Sequence, residues 1–172
     1  QVFLDYFSKS YQFFFDYLHK HKIKHVLVLG DVYDRRQYIN MYTAHRTRKE
    51  LLEKLDEFET IVIPGNHDEY FKNTGAVNSL DELVRGYKNI RIVHDPEMVT
   101  LGDRKILLIP WITDSNKEAT LKGIANTKAT IAMGHLDLVG FEEQRGSFSD
   151  HGLNAALFKH FTAVYSGHFH HR

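Results

Sequence analysis

The sequence predicts a mixed α/β domain, and three observations carry the prediction. Short apolar runs of strand type recur along the chain: Val26-Leu27-Val28-Leu29, Ile61-Val62-Ile63, Thr130-Ile131-Ala132-Met133 and Ala163-Val164-Tyr165-Ser166. Each runs into a glycine within two residues. Between the runs lie stretches whose apolar residues recur at three- and four-residue steps, the period of a helix face. No internal repeat, low-complexity tract or linker-like segment divides the 172 residues, so one domain spanning 1–172 is the economical reading.

In chain order, Phe3, Leu4, Phe7, Tyr11, Phe14, Phe15 and Leu18 mark an amphipathic first helix. Residues 24–29 read as a buried strand. A second helix is predicted over about residues 40–58, with Leu51, Leu52 and Leu55 on its apolar face and Glu50 and Lys54 at a favourable four-residue spacing. A strand at 60–63 follows, then a short helix around Leu80, Leu83 and Val84. Residues 90–93, 98–101 and 105–109 read as three strands, the last two joined by a Gly102-Asp103 hairpin turn. A helix over 117–124 precedes the Thr130 strand, and a short helix over 153–159 precedes the last one.

Composition narrows the function classes. Acidic and basic residues balance at 22 each, so net charge does not advertise a polyanion partner, and any nucleic-acid surface has to be local. The absence of cysteine excludes disulfides, thiolate zinc sites and cysteine nucleophiles, and fits a reducing compartment such as the cytoplasm. No apolar run approaches the ~20 residues of a membrane helix. Asp5, Lys9 and Asp16 interrupt the N-terminal aromatic stretch, so it has no signal-peptide pattern. The chain lacks an initiator Met and stops two residues after its last motif, so it reads as a fragment truncated at both ends.

The glycines that close the apolar runs open four motifs: Gly30-Asp31-Val32-Tyr33-Asp34, Gly65-Asn66-His67-Asp68, Gly134-His135 and Gly167-His168-Phe169-His170. A fold that gathers the strand ends would bring together the Asp31 carboxylate, the Asn66 amide oxygen and the imidazoles of His135, His168 and His170. In an extended segment His168 and His170 face the same side. Carboxylate, amide and imidazole ligands without thiolate suit Mn, Fe or Zn, and two cations roughly 3.5–4 Å apart would activate a water for attack on phosphorus. His67 is placed to touch a phosphate oxygen or protonate a leaving group, with Asp34 holding its ring. Each motif alone is weak, because acidic and glycine-rich turns are common. Four in order, each after an apolar run, are not.

Other residues read more plainly. His19, His21 and His25 lie in a lysine-rich stretch and read as solvated. His151, in Ser149-Asp150-His151-Gly152, has no nucleophile-elbow pattern around it and reads as loop. Phe13, Phe14 and Phe15 read as core packing. Arg35 and Arg36 are the candidate phosphate contacts, whereas Arg46, Arg48 and Lys49 read as a solvated helix face.

The motifs resemble those of the calcineurin-like metallophosphoesterase superfamily, which run D-x-H, G-D-x-x-D, G-N-H-[DE], G-H and G-H-x-H; the last four occur here in order. Pro110-Trp111, the run from Gly134 through Phe141 with Arg145-Gly146, and His151-Gly152-Leu153 resemble the SbcD-type DNA-repair nucleases, including the recombination endonuclease subunits of T-even-like phages. The resemblance implies a four-layer α/β/β/α sandwich with a dinuclear Mn2+ site at strand ends. In it Asp31 would bridge both ions, Asn66, His135 and His168 would complete one site, and His170 would serve the other. His67 would be the catalytic histidine, supported by Asp34. It also implies a homodimer, an SbcC-type coiled-coil ATPase partner and DNA as substrate, in the host cytoplasm if phage-encoded. The D-x-H motif is missing, so the sandwich would lack its first strand and the second metal would bind weakly. The alternatives are a phosphoesterase acting on nucleotides or phosphoproteins, and a non-catalytic scaffold.

Overall fold

The computed structural model describes residues 2–170. Helix α1 (Val2–Lys20) leads into β1 (His25–Val28). The second predicted helix forms in three joined pieces: α2 (Met41–Thr47), a π-helical turn (Arg48–Leu52) and α3 (Glu53–Leu55). Asn40 starts it, its side-chain oxygen accepting the main-chain N–H of Tyr42 (2.9 Å) and Thr43 (3.3 Å). There follow β2 (Glu59–Val62), α4 (Ser79–Leu83), β3 (Ile90–Ile92), β4 (Glu97–Leu101), β5 (Arg104–Ile109), α5 (Lys117–Asn126) and β6 (Ile131–Gly134). The short hairpin β7 (Glu142–Gln144) and β8 (Ser147–Phe148), a 3₁₀ turn (Ala155–Phe158) and β9 (Ala163–Ser166) complete the order.

Two main sheets result. One has the order β1-β2-β3 and is parallel throughout. The other has the order β4-β5-β6-β9; β4 and β5 form the expected antiparallel hairpin across Gly102-Asp103, and the remaining pairings are parallel.

Strand periodicity explains the layers. In β1, Val26 and Val28 face a core shared with Phe15 and Leu18 of α1 and with Leu52 and Leu55, while Leu27 faces the opposite way. In β5, Leu107 and Ile109 join Ile124 of α5 and Phe158, while Ile106 and Leu108 turn inward. The inward sets, with Ile61, Ile63, Val93, Ile131 and Met133, form a third core between the two sheets. Side chains two apart share a sheet face, so two sheets with apolar residues on both faces must each be covered by helices outside. The outcome is the expected α/β/β/α sandwich, with β1 at one edge of its sheet.

Helix α1 departs from a single apolar face. Phe15 and Leu18 are buried, but Tyr6, Phe13 and Tyr17 point outward, Phe13 being 74% exposed. Of the three phenylalanines read as core, only Phe15 is fully so. Phe3 and Leu4 lie outside the described side chains.

Candidate metal centre and active-site cleft

All the parallel strands end on the same side of the molecule, and the motif loops leave from those ends. Ligand sites of open α/β sheets form at such carboxyl ends, where loops diverge. The first loop turns sharply. Gly30 (φ 90°) and Asp31 (φ 54°) both occupy left-handed backbone, a conformation an aspartate tolerates better than most side chains. The turn is tied to the second loop by Asp68, which is buried and accepts N–H donations from Asp31 (2.7 Å), Gly65 (2.9 Å) and Tyr33 (3.3 Å), plus the Ser79 hydroxyl (3.2 Å). Burial is the main influence on the Asp68 carboxyl and pushes its pKa up.

With the loops fixed, the donor atoms converge. His135 is fully buried, and its Nδ1 donates to the Leu29 carbonyl at 2.7 Å. A carbonyl can only accept, so this bond places the ring proton on Nδ1 and leaves Nε2 with a free lone pair. That nitrogen faces Asn66 Oδ1 at 2.9 Å, Asp31 Oδ2 at 3.3 Å and His168 Nδ1 at 3.3 Å. His168 Nδ1 in turn lies 3.1 Å from Asn66 Oδ1. Four lone-pair donors facing one another repel unless a cation or proton lies among them. Their 2.9–3.3 Å spacings match the roughly 3 Å expected between neighbouring ligands on ~2.1 Å metal bonds. The residues therefore fit a divalent cation. Among the described residues, no three histidine, aspartate or glutamate side chains form such a group by themselves; the amide of Asn66 joins the carboxylate to the imidazoles.

Burial raises the Asp31 pKa, but a proton shared with His135 Nε2 when no cation is bound, together with the His67 N–H, outweighs it and holds the carboxyl below its ordinary value. Gly65 permits the close approach. A Cβ there would lie 2.5 Å from the Asp31 nitrogen and 2.8 Å from His135 Cε1.

Residues 5–172 match the family described as Calcineurin-like phosphoesterase. The chain belongs to that family. It is 35% identical over 159 residues to exonuclease subunit 1 of Enterobacteria phage T4, across 90% of this chain and 46% of that protein. The chain thus spans about half the length of the curated relative it matches. A solved archaeal phosphodiesterase aligns with 90% of this chain and 73% of its own at 14% identity and a TM-score of 0.43, a likeness too loose to bear on the site.

This calcineurin-like cleft, of about 740 Å³, is lined by Asn66, His67, His168 and His170 together with Arg36, Lys72 and Trp111. His67 donates its main-chain N–H to Asp31 Oδ1 (2.8 Å), and its Nδ1 lies 2.6 Å from the main-chain carbonyl of Asp34. Asp34 thus reaches the ring through its main-chain carbonyl, not through its carboxylate. That carboxylate is 93% exposed beside Arg35, because the bend that brings the Asp34 carbonyl to His67 turns its side chain outward. His170 stands on the exposed cleft wall, apart from the four converging donors.

The two candidate phosphate contacts separate. Arg36 lines the cleft and donates to the Glu69 carbonyl at 3.4 Å, whereas Arg35 turns to the Tyr38 hydroxyl and ring in a different hollow. Arg48 and Lys49 pair with Glu53 on a solvated helix face, whereas Arg46, only 15% exposed, is tied to Glu50 and to Asp5 and Ser8 of α1 and departs from that reading.

Sequence reasoning missed Lys72, Trp111, Asp137 and His151 as cleft residues. Trp111 carried a detectable signal, since it follows β5 just as the motif loops follow their strands. His151 lay within a stretch that carried the family resemblance but was read as loop, and Lys72 carried no signal, because tertiary approach alone brings it in.

Proposed function

We propose that the cleft hydrolyses phosphodiester bonds of DNA with Mn2+ as its cofactor. The observation that carries this reading is the convergence of Asp31, Asn66, His135 and His168 beside an independently oriented His67. Divalent ions held by these residues would supply Lewis-acid polarisation of the phosphate and a lowered water pKa. Asp31, with its pKa held low, remains an anionic ligand at neutral pH. Asn66, His135 and His168 would complete that site; His170, with Asp31, would serve a weaker second one. Because the Asp34 carbonyl holds a proton on His67 Nδ1, the doubly protonated ring would give its Nε2 proton to the leaving oxygen and keep the one on Nδ1. Arg36 and Lys72 supply positive charge to the phosphate, and Arg35 stands further out along the strand's path.

His67→Asn should lower cleavage of a labelled oligonucleotide by roughly 10²-fold or more while Mn2+ binding stays within a factor of two or so. The assay is run beside p-nitrophenyl phosphate and a phosphopeptide. Faster turnover of either monoester than of DNA would contradict the reading and favour a nucleotide or phosphoprotein phosphatase. A decayed scaffold has no chemical use for an oriented His67, which weighs against that alternative.

The outward stripe of α1 supports a homodimer. Tyr6, Phe13 and Tyr17, at steps of seven and four, share one helix face opposite the buried Phe15, and all three are at least half-exposed or nearly so. Phe13→Asp combined with Tyr17→Asp should convert a dimer to a monomer in light scattering; an unchanged mass would exclude this face. The relative is named as a subunit, which supports a partner chain, for which an SbcC-type coiled-coil ATPase is our proposal. Among the described residues no helix is long and apolar enough to cross a membrane. A DNA substrate would place the activity in the cytoplasm.

A further inference from the structure

Beside the phosphoester cleft lies a smaller hollow of about 200 Å³ that the proposed chemistry leaves unused. The two share a wall that includes Trp111 and His151. At about 200 Å³ the hollow falls below the roughly 300–1,000 Å³ of sites that enclose a whole ligand, so it suits one part of a larger molecule whose remainder lies in the cleft. Its wall is the indole of Trp111. Its rim carries Asp114 and Lys117, both exposed, while the buried Thr113 keeps its hydroxyl on Ser115. The opposite charges of Asp114 and Lys117 offset one another, so the rim makes no concentrated positive site for a second phosphate. A planar, uncharged group with donors and acceptors along its edge suits this mixture of aromatic wall and polar rim.

The walls are also preorganised. Trp111 donates its main-chain N–H to the Pro64 carbonyl (2.9 Å), and its own carbonyl accepts from Asn116 Nδ2 (2.9 Å). Asn116 Oδ1 takes the Thr113 N–H at 2.9 Å. Across the hollow, Asp137 holds the 149–153 loop through the Ser149 hydroxyl (2.8 Å) and the Leu153 N–H (2.9 Å). The indole packs against the rings of His168 (5.3 Å between centroids) and His135 (5.8 Å). An aromatic group stacked on it would therefore lie immediately beside the donors proposed to hold the metal.

We infer that this hollow receives one unstacked nucleobase, from the nucleotide adjoining the phosphate in the cleft, stacked on Trp111. The inference rests on the phosphodiester reading and extends it. A base paired in a duplex cannot enter, so single strands and frayed ends are the substrates this arrangement selects.

Trp111 is the chain's one tryptophan, so its fluorescence reports on the hollow directly, without metal or turnover. Thymidine 5′-monophosphate should quench it saturably in EDTA, and 2-deoxyribose 5-phosphate should not. With Mn2+, an oligonucleotide should be cut about tenfold or more faster than one with an abasic residue at the cleavage position, the scale of one base–aromatic stack. Trp111→Ala should bring that ratio to about one. Because Trp111 touches His135 and His168, Asp114→Ala and Lys117→Ala provide a second test at the rim. They should alter the preference among the four bases and leave abasic cleavage unchanged. Equal cutting of normal and abasic strands with no quenching overturns the base site and leaves the phosphodiesterase reading standing. If neither strand is cut, the phosphodiesterase reading fails; the quenching then decides the hollow alone, as a mononucleotide site if present and as no base site if absent.

Discussion

Two adjacent carboxylates, Asp68 and Glu69, show how neighbouring residues of one loop divide structural work. Asp68 accepts three main-chain N–H groups and a hydroxyl, and so sets the distance between the first two motif loops. Asp68→Ala would leave those donors without their acceptor, costing about 3 kcal/mol or more of stability and misplacing Asp31. Urea unfolding of the variant should show it; a midpoint equal to wild type would contradict the tie. Glu69 is also buried, but its Oε2 has no hydrogen-bond partner among the described residues. Burial pushes its pKa up to about 7, partly opposed by Arg36 and reinforced by Asp68. The folded state therefore keeps a proton that the unfolded chain releases at a lower pH. The sign follows: stability falls as pH rises from the ordinary glutamate range through about 7. Glu69→Gln should be more stable than wild type at pH 8, by on the order of 1–3 kcal/mol, and show little difference at pH 4. Parallel wild-type and variant stability curves across that window would refute the burial argument.

At the scale of elements, legibility followed periodicity. The strands at β1, β2, β5, β6 and β9 were readable because each carries a compact apolar run; alternate side chains fill two different cores in the first four, while in β9 Val164 packs inward and Tyr165 stays half exposed. The β4–β5 hairpin was readable from Gly102, whose φ of 61° the turn requires. The β7–β8 hairpin was not, because strands of three and two residues that include Glu142 and the exposed Phe148 have no period to detect. Helix α1 misled for a different reason. Apolar residues on both of its faces satisfy a helical period whichever face is buried, so spacing alone cannot choose Phe15 over Phe13. The four converging donors were legible because each sits beside a glycine at a strand end. Glycine spacing also makes a prediction here: Gly167→Ala would place a methyl against the Leu29 carbonyl and 3.0 Å from Leu29 Cβ. It should push the His168 loop from the β1 end and weaken Mn2+ binding by about tenfold, roughly 1.4 kcal/mol. Unaltered binding would show that the loop accommodates the methyl.

Across the whole molecule, two sheets share one internal core and present their parallel strand ends on one side, and the site is assembled between them rather than within either. Asp31 and Asn66 come from loops of the β1-β2-β3 sheet, and His135 and His168 from the other. The His135–Leu29 and Trp111–Pro64 hydrogen bonds link the two halves directly. This division explains what the sequence could not reveal. Motifs announce which loops bear ligands, but the side walls contributed by Lys72 and His151 depend on how the halves approach. It also sets the expected metal stoichiometry, since four donors converge at one point while His170 stands apart on the cleft wall.

The central claim is that Asp31, Asn66, His135 and His168 together hold a divalent cation, and equilibrium uptake of Mn2+ tests it most directly, followed through the paramagnetic resonance signal of the free ion. The account predicts one tightly bound ion per chain, a second bound at least about tenfold more weakly, and loss of the tight site in Asn66→Ala with the fold retained by circular dichroism. Two tight, equivalent sites, or a tight site that survives Asn66→Ala, would contradict it.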